Sequence, residues 1–135
     1  METLRREFQL PEADEEFLVR FGQRWEAICE SNRRWFVIHD FPLPPGFTVA
    51  VADVAIEIPA GYPPGPLDMA YFFPALKRSD GKEIPQTQAV EQLAGKSWQR
   101  WSRHRTGDCP WVSGEDSLET HVEFIRAFLE REPRR

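Results

Sequence analysis

The sequence predicts an α+β domain, and three observations carry that reading. Apolar residues recur at helical spacing only near the two ends of the chain. Between those ends, runs rich in aromatic and β-branched residues follow one another with no helical segment separating them. Two proline-rich stretches, 41–46 and 59–66, interrupt the runs, and proline lacks the N–H that a sheet ladder needs. Consecutive strands without crossovers favour a four-stranded antiparallel meander, and helices confined to the ends favour the α+β class.

In chain order, Pro11 opens a short helix, because its missing N–H is one of the first-turn donors without a partner anyway. Glu12, Asp14, Glu15 and Glu16 complement the positive helix end. Phe17, Leu18 and Phe21 form an apolar face, and Gly22 suits a left-handed cap. Strands are expected at 25–30, at 34–41 after a turn containing Asn32, at 48–58 and at 68–73. Val54, Ile56 and Ile58 alternate with Asp53, Ala55 and Glu57, so one set faces a core; Met69, Tyr71 and Phe73 likewise share a face. From Pro74 to Lys96 the chain is polar and aperiodic, save for one helical turn at Ala89, Val90 and Leu93. A loop of that length inside a compact domain is more often functional than neutral. Ser113 or Asp116 then caps a final helix carrying Leu118, Val122, Ile125 and Leu129. His121 on that helix reads as a surface or packing residue rather than a catalyst, and Cys29 in the first strand reads as core.

One domain is expected over residues 1–135, a length that buries a core without disulfides or metal. The net charge of −5 argues against a phosphate-binding surface and so against nucleic acid. Basic groups gather only locally, at Arg33–Arg34 and at Arg100, Arg103, His104 and Arg105, as a solvated rim or a contact for an acidic partner. No apolar run approaches the ~18–20 residues that span a bilayer, and the first residues lack the build of a secretory signal, so no membrane contact is expected. Cys29 and Cys109 imply neither a disulfide scaffold nor a four-ligand zinc site, which fits a reducing cytoplasm. His39, His104 and His121 are too scattered for metal-ligand spacing, and no metal or cofactor is expected.

Reactive groups concentrate in one stretch. Trp98-Gln-Arg-Trp-Ser-Arg-His104 is followed by Cys109-Pro-Trp111, three indoles around a hydroxyl, an imidazole and a thiol. Rings with a large apolar face are costly to expose, so Trp98, Trp101 and Trp111, with Arg103, are expected to wall a pocket. The plainer alternative is a packed turn whose polar groups satisfy one another.

Ile58-Pro59-Ala-Gly-Tyr62-Pro63-Pro-Gly-Pro66 resembles the Ile-Pro-x-x-Tyr-Pro-x-x-Pro motif of the ubiquitin-conjugating enzyme fold. Met69–Phe73 resembles that family's fourth strand, and Trp111 resembles the tryptophan just past its active cysteine. More narrowly, Leu10-Pro-Glu-Ala-Asp, Phe41-Pro-Leu-Pro-Pro-Gly-Phe and Trp98–His104 are similar to the bacterial branch called prokaryotic family E, with the likeness running from about Leu10 to Leu129. The resemblance implies a UBC-like fold and a cytoplasmic transferase that takes a ubiquitin-like modifier from an adenylating activating enzyme. By the same analogy, the acidic N-terminal helix implies a docking surface for that enzyme. Two departures stand out. Where the family usually has His-Pro-Asn, this chain reads Phe73-Pro74-Ala75, without the asparagine that supports the oxyanion. Counting back from Trp111 to the usual cysteine position reaches Arg103, next to Ser102, while Cys109 lies only two places before the tryptophan.

Three chemistries follow. Ser102 carries the modifier as an oxyester with His104 as general base, since side chains two apart on an extended segment share a face. Arg100, Arg103 or Arg105 then replaces the missing asparagine or grips an acidic partner. Alternatively, Cys109 carries it as a thioester, with His104 and Arg105 favouring the thiolate and Asp108 opposing it. The third reading is a non-catalytic module that binds a ubiquitin-like protein or its activating enzyme.

Overall fold

The computed structural model describes residues 3–107 and 109–135. Its elements run α1 (Glu12–Phe21), β1 (Trp25–Glu30), β2 (Arg33–Pro42), β3 (Val51–Ile58), β4 (Ala70–Phe73), β5 (Val90–Leu93), β6 (Lys96–Trp101) and α2 (Leu118–Arg131), with a short 3₁₀ turn at Glu132–Arg134. The class is α+β, two helices on a curled antiparallel sheet. Among the described residues the sheet has six strands where four were expected, in the order β1-β2-β3-β4-β6-β5.

Of the two additional strands, β5 lies where the sequence suggested a loop with one helical turn, and β6 runs into the tryptophan-rich stretch expected to wall a pocket. Val90–Leu93 pairs antiparallel with Lys96–Trp101, joined by Ala94 and Gly95 at φ 52° and 75°. Two left-handed residues make the tight hairpin turn whose twist matches that of paired strands. Ser31 and Asn32, at φ 52° and 61°, make the equivalent turn between β1 and β2. Val90 and Leu93 stand three apart with polar residues between them, the spacing of a helical turn, which is why the pattern around Ala89–Leu93 misleads.

Alternation along the strands divides the apolar residues between two faces. Phe36, Val54, Ile56, Phe72 and Trp101 join Phe17 and Leu18 of α1 and Leu118, Val122, Ile125 and Leu129 of α2 in the main core. Ile28, Trp35, Val37, Ala55, Tyr71, Leu93 and Trp98 form a second cluster on the other face. The Trp35 and Tyr71 rings meet edge to face there at 5.1 Å. Ala55, expected to face away from a core, is therefore fully buried among these residues.

Helix ends follow local chemistry. Gly22 closes α1 at φ 85°. Ser117, not Ser113 or Asp116, caps α2 in a reciprocal arrangement with Thr120. Asp116 instead accepts the Val112 N–H at 2.6 Å and orders the approach to the helix. Cys29, read as core, is exposed, and its backbone N–H donates to Glu7.

Candidate active site

β4 and β6 are antiparallel neighbours with Ala70 opposite Trp101. The chain before Ala70 and the chain after Trp101 therefore leave the sheet at the same end. Continuing the register two steps past the sheet sets Asp68 across from Arg103, between Ser102 and His104. The geometry follows from that placement: Ser102 Oγ lies 3.0 Å from His104 Nε2, and His104 Nδ1 lies 2.7 Å from Asp68 Oδ2. A carboxylate can only accept, so Nδ1 carries the imidazole hydrogen and Nε2 presents its lone pair to the serine hydroxyl. A hydroxyl, an imidazole and a carboxylate thus stand in one hydrogen-bonded line, in the order used by nucleophilic serines.

The backbone fixes this arrangement. The Ser102 N–H donates to the Gln86 carbonyl, and the Arg103 N–H donates back to the Trp101 carbonyl, closing a tight turn centred on Ser102. Arg103 anchors the segment between its two reactive neighbours. Its guanidinium donates to the carbonyls of Pro85 and Ser102 and to Glu132 at 3.1 Å, and it stacks over Trp101. Glu132, 2% exposed, also receives Arg78 at 3.1 Å. Arg103, expected to wall a pocket, is held by these contacts and also lines a groove beside the relay.

From the other side, α2 holds the carboxylate's own segment. His121 Nε2 donates to the Met69 carbonyl at 2.8 Å, and Met69 adopts φ 58°. Burial pushes the His121 imidazole down to about 4; the Met69 bond resists and the nearby Arg105 charge reinforces the lowering. His121 is fully buried, so of the two expected settings it takes packing rather than the surface.

Of the indoles, only Trp111 flanks the site. It donates to the Pro64 carbonyl at 3.2 Å, meets Tyr62, and receives the Arg105 guanidinium over its ring. Trp101 is core beneath Ser102, stacked on Phe128. Trp98 lies in the cluster on the opposite face, with its N–H on the Leu93 carbonyl. The three do not wall a common pocket, because alternation along β6 sends 98 and 101 to opposite sides.

A groove of about 640 Å³ runs beside the relay between the 103–109 segment and α2, lined in part by His104, Arg105, Cys109, Phe124 and Arg131. Cys109 is exposed, with Sγ 3.9 Å from Arg105 Nη1. Arg105 is held between Trp111 and Phe124 and pairs with Asp116 at 3.7 Å. Asp108, expected to influence the thiol, lies outside the described residues. Arg100 is exposed on β6 opposite Tyr71. Among the described residues no group of His, Cys, Asp and Glu gathers to hold a metal ion.

Asp68 is the site residue that the sequence did not single out. Its partners lie 34 and 36 positions away, and only the β4–β6 register brings them together.

Two helices on a curled antiparallel sheet, with the Tyr62–Pro66 turn between β3 and β4, are consistent with a UBC-like α+β fold. A family model described as Prokaryotic E2 family E matches residues 10–132, and the chain belongs to that family. Comparison with curated proteins finds no match, and neither does comparison with solved structures.

Proposed function

We propose that this protein accepts a ubiquitin-like modifier from an activating enzyme onto Ser102 as an oxyester and passes it to an amine, working in the cytoplasm. The supporting observation is the line from Asp68 through His104 to Ser102, with bonds of 2.7 and 3.0 Å. A serine hydroxyl is too weakly acidic to attack unaided and needs a positioned base. In loading, Ser102 Oγ attacks the modifier's thioester carbonyl while His104 Nε2 takes the hydroxyl proton. The carbon–sulfur bond breaks, and the departing thiolate leaves with that proton. In transfer, an amine attacks the oxyester, His104 collects the amine's proton and returns it to Ser102 Oγ as the carbon–oxygen bond breaks. Asp68 holds the imidazole in the tautomer that both steps require.

The partners are the modifier and the activating enzyme. Glu12, Glu15 and Glu16 stand exposed on α1 and offer the docking surface, whereas Asp14 is buried and cannot belong to it.

Incubation with activating enzyme, modifier and ATP tests the reading. The expected adduct survives reductant, yields to hydroxylamine, and is lost in Ser102→Ala. One observation favours a second carrier, the exposed Cys109 thiol in the groove beside Arg105. An adduct destroyed by reductant and absent from Cys109→Ala would replace the oxyester with that thioester. With matched partners and no adduct at all, the binding module is what remains.

A further inference from the structure

We propose a second activity for the same relay: hydrolysis of activated acyl esters, both thioesters and aryl esters, with water as the acceptor and no modifier or activating enzyme required. The proposal rests on the Ser102–His104–Asp68 assignment and not on the partners. Two features carry it. First, the connectivity, hydroxyl to Nε2 and Nδ1 to carboxylate, is the one that serves acyl transfer to water as readily as to amines, because the base that deprotonates an amine also deprotonates water. Second, the relay is open. The His104 and Asp68 side chains are 56% and 43% exposed, so solvent reaches the imidazole that would activate it.

A groove of roughly 640 Å³ lined by Phe124, Ala127 and Arg131 adjoins the relay at His104, the relay residue that lines it. What the relay demands of a substrate is a good leaving group, a thiolate or an aryl oxide. Ser102 Oγ attacks the carbonyl carbon and gives its proton to His104 Nε2. The bond to the thiolate or aryl oxide breaks and that proton leaves with it. Water then attacks the acyl-serine and surrenders a proton to Nε2. The bond to Ser102 breaks, its oxygen regains the proton, and a carboxylic acid departs.

The test uses purified full-length protein with p-nitrophenyl acetate and with a glycine-terminated peptide thioester, no other protein present. The expected result is turnover above buffer with acetyl recovered on the Ser102 peptide by mass spectrometry. Ser102→Ala falls to the buffer rate while keeping the wild-type melting curve. Asp68→Asn, which leaves Ser102 and His104 in place, lowers kcat on the order of a hundredfold or more. If Ser102→Ala keeps the rate and His104→Ala loses it, the imidazole itself is the nucleophile and the proposal is overturned. A rate no greater than that of free imidazole at equal concentration overturns it too. The modifier-loading gel is read separately, so either activity can fail without the other.

Discussion

Tyr62 shows how one hydroxyl joins three parts of the chain. Its O–H donates to Asp14 Oδ2 at 2.5 Å, while Asp14 Oδ1 accepts the Leu118 N–H at 3.3 Å. The turn after β3, the body of α1 and the start of α2 therefore meet at a single carboxylate. Burial raises the Asp14 carboxyl above the ordinary range. Burial, then the adjoining Asp14, pushes the Tyr62 hydroxyl well up. Tyr62→Phe strips a buried acceptor of its donor and is expected to cost about 1–3 kcal/mol, read as a lower urea midpoint at unchanged slope. The Tyr-Pro-x-x-Pro motif was legible in sequence, but its tyrosine's partner was not. Asp14 reads as one more acid complementing a helix end until tertiary packing buries it.

At the scale of elements, the hairpin of β5 and β6 decides the site, and it is the part the sequence concealed. The first helix, the runs that become β1 to β4 and the last helix all carry visible apolar periods, so their positions were readable to within a few residues. The short β5 does not, and without it Trp98–Trp101 looks like a pocket wall rather than a strand. Ser102 and His104 could be paired by their two-residue spacing alone. Asp68 could be added only once β6 was placed beside β4. The connection before β3 is equally tied to remote structure. Gly46, at φ 114°, sits where an added Cβ would collide with Pro133 Cβ in the C-terminal turn. Gly46→Ala meets both backbone strain and overpacking and is expected to destabilise by about 1–3 kcal/mol. Equilibrium denaturation of the variant checks this directly. Glu132→Ala removes the buried carboxylate shared by Arg78, which keeps Asp80, and Arg103, which keeps two carbonyls, and is expected to lower the midpoint in the same measurement.

Across the whole molecule, two buried imidazoles bend stability in opposite directions with pH. His39 lies between Glu26 at 2.8 Å and Asp53 at 3.1 Å, and the Asp53 bond foremost raises it above its ordinary value. Its contribution is complete below about pH 6.5 and fades as pH rises through the raised value. His121 is the reverse case, held down to about 4. As pH falls from about 6.5 toward that value, the unfolded chain takes a proton that the folded one refuses, so stability drops by up to about 3 kcal/mol. Denaturation midpoints collected from roughly pH 4 to 9 are expected to form a dome. His121→Gln flattens its acid side and His39→Gln its alkaline side. A dome unchanged by either substitution would remove these two side chains as its cause.

Both sulfhydryls of the chain stand in the open, and neither takes part in the line from Asp68 to Ser102. Peroxide and alkylating reagents silence carriers built on sulfur, because the thiolate is what they attack. With Ser102 as the proposed carrier, iodoacetamide is expected to label Cys29 and Cys109 and leave acyl transfer intact, whereas transfer lost on labelling would point to Cys109. On the proposed Ser102 carrier, trading sulfur for oxygen would surrender a better leaving group and gain a carrier that such reagents do not attack.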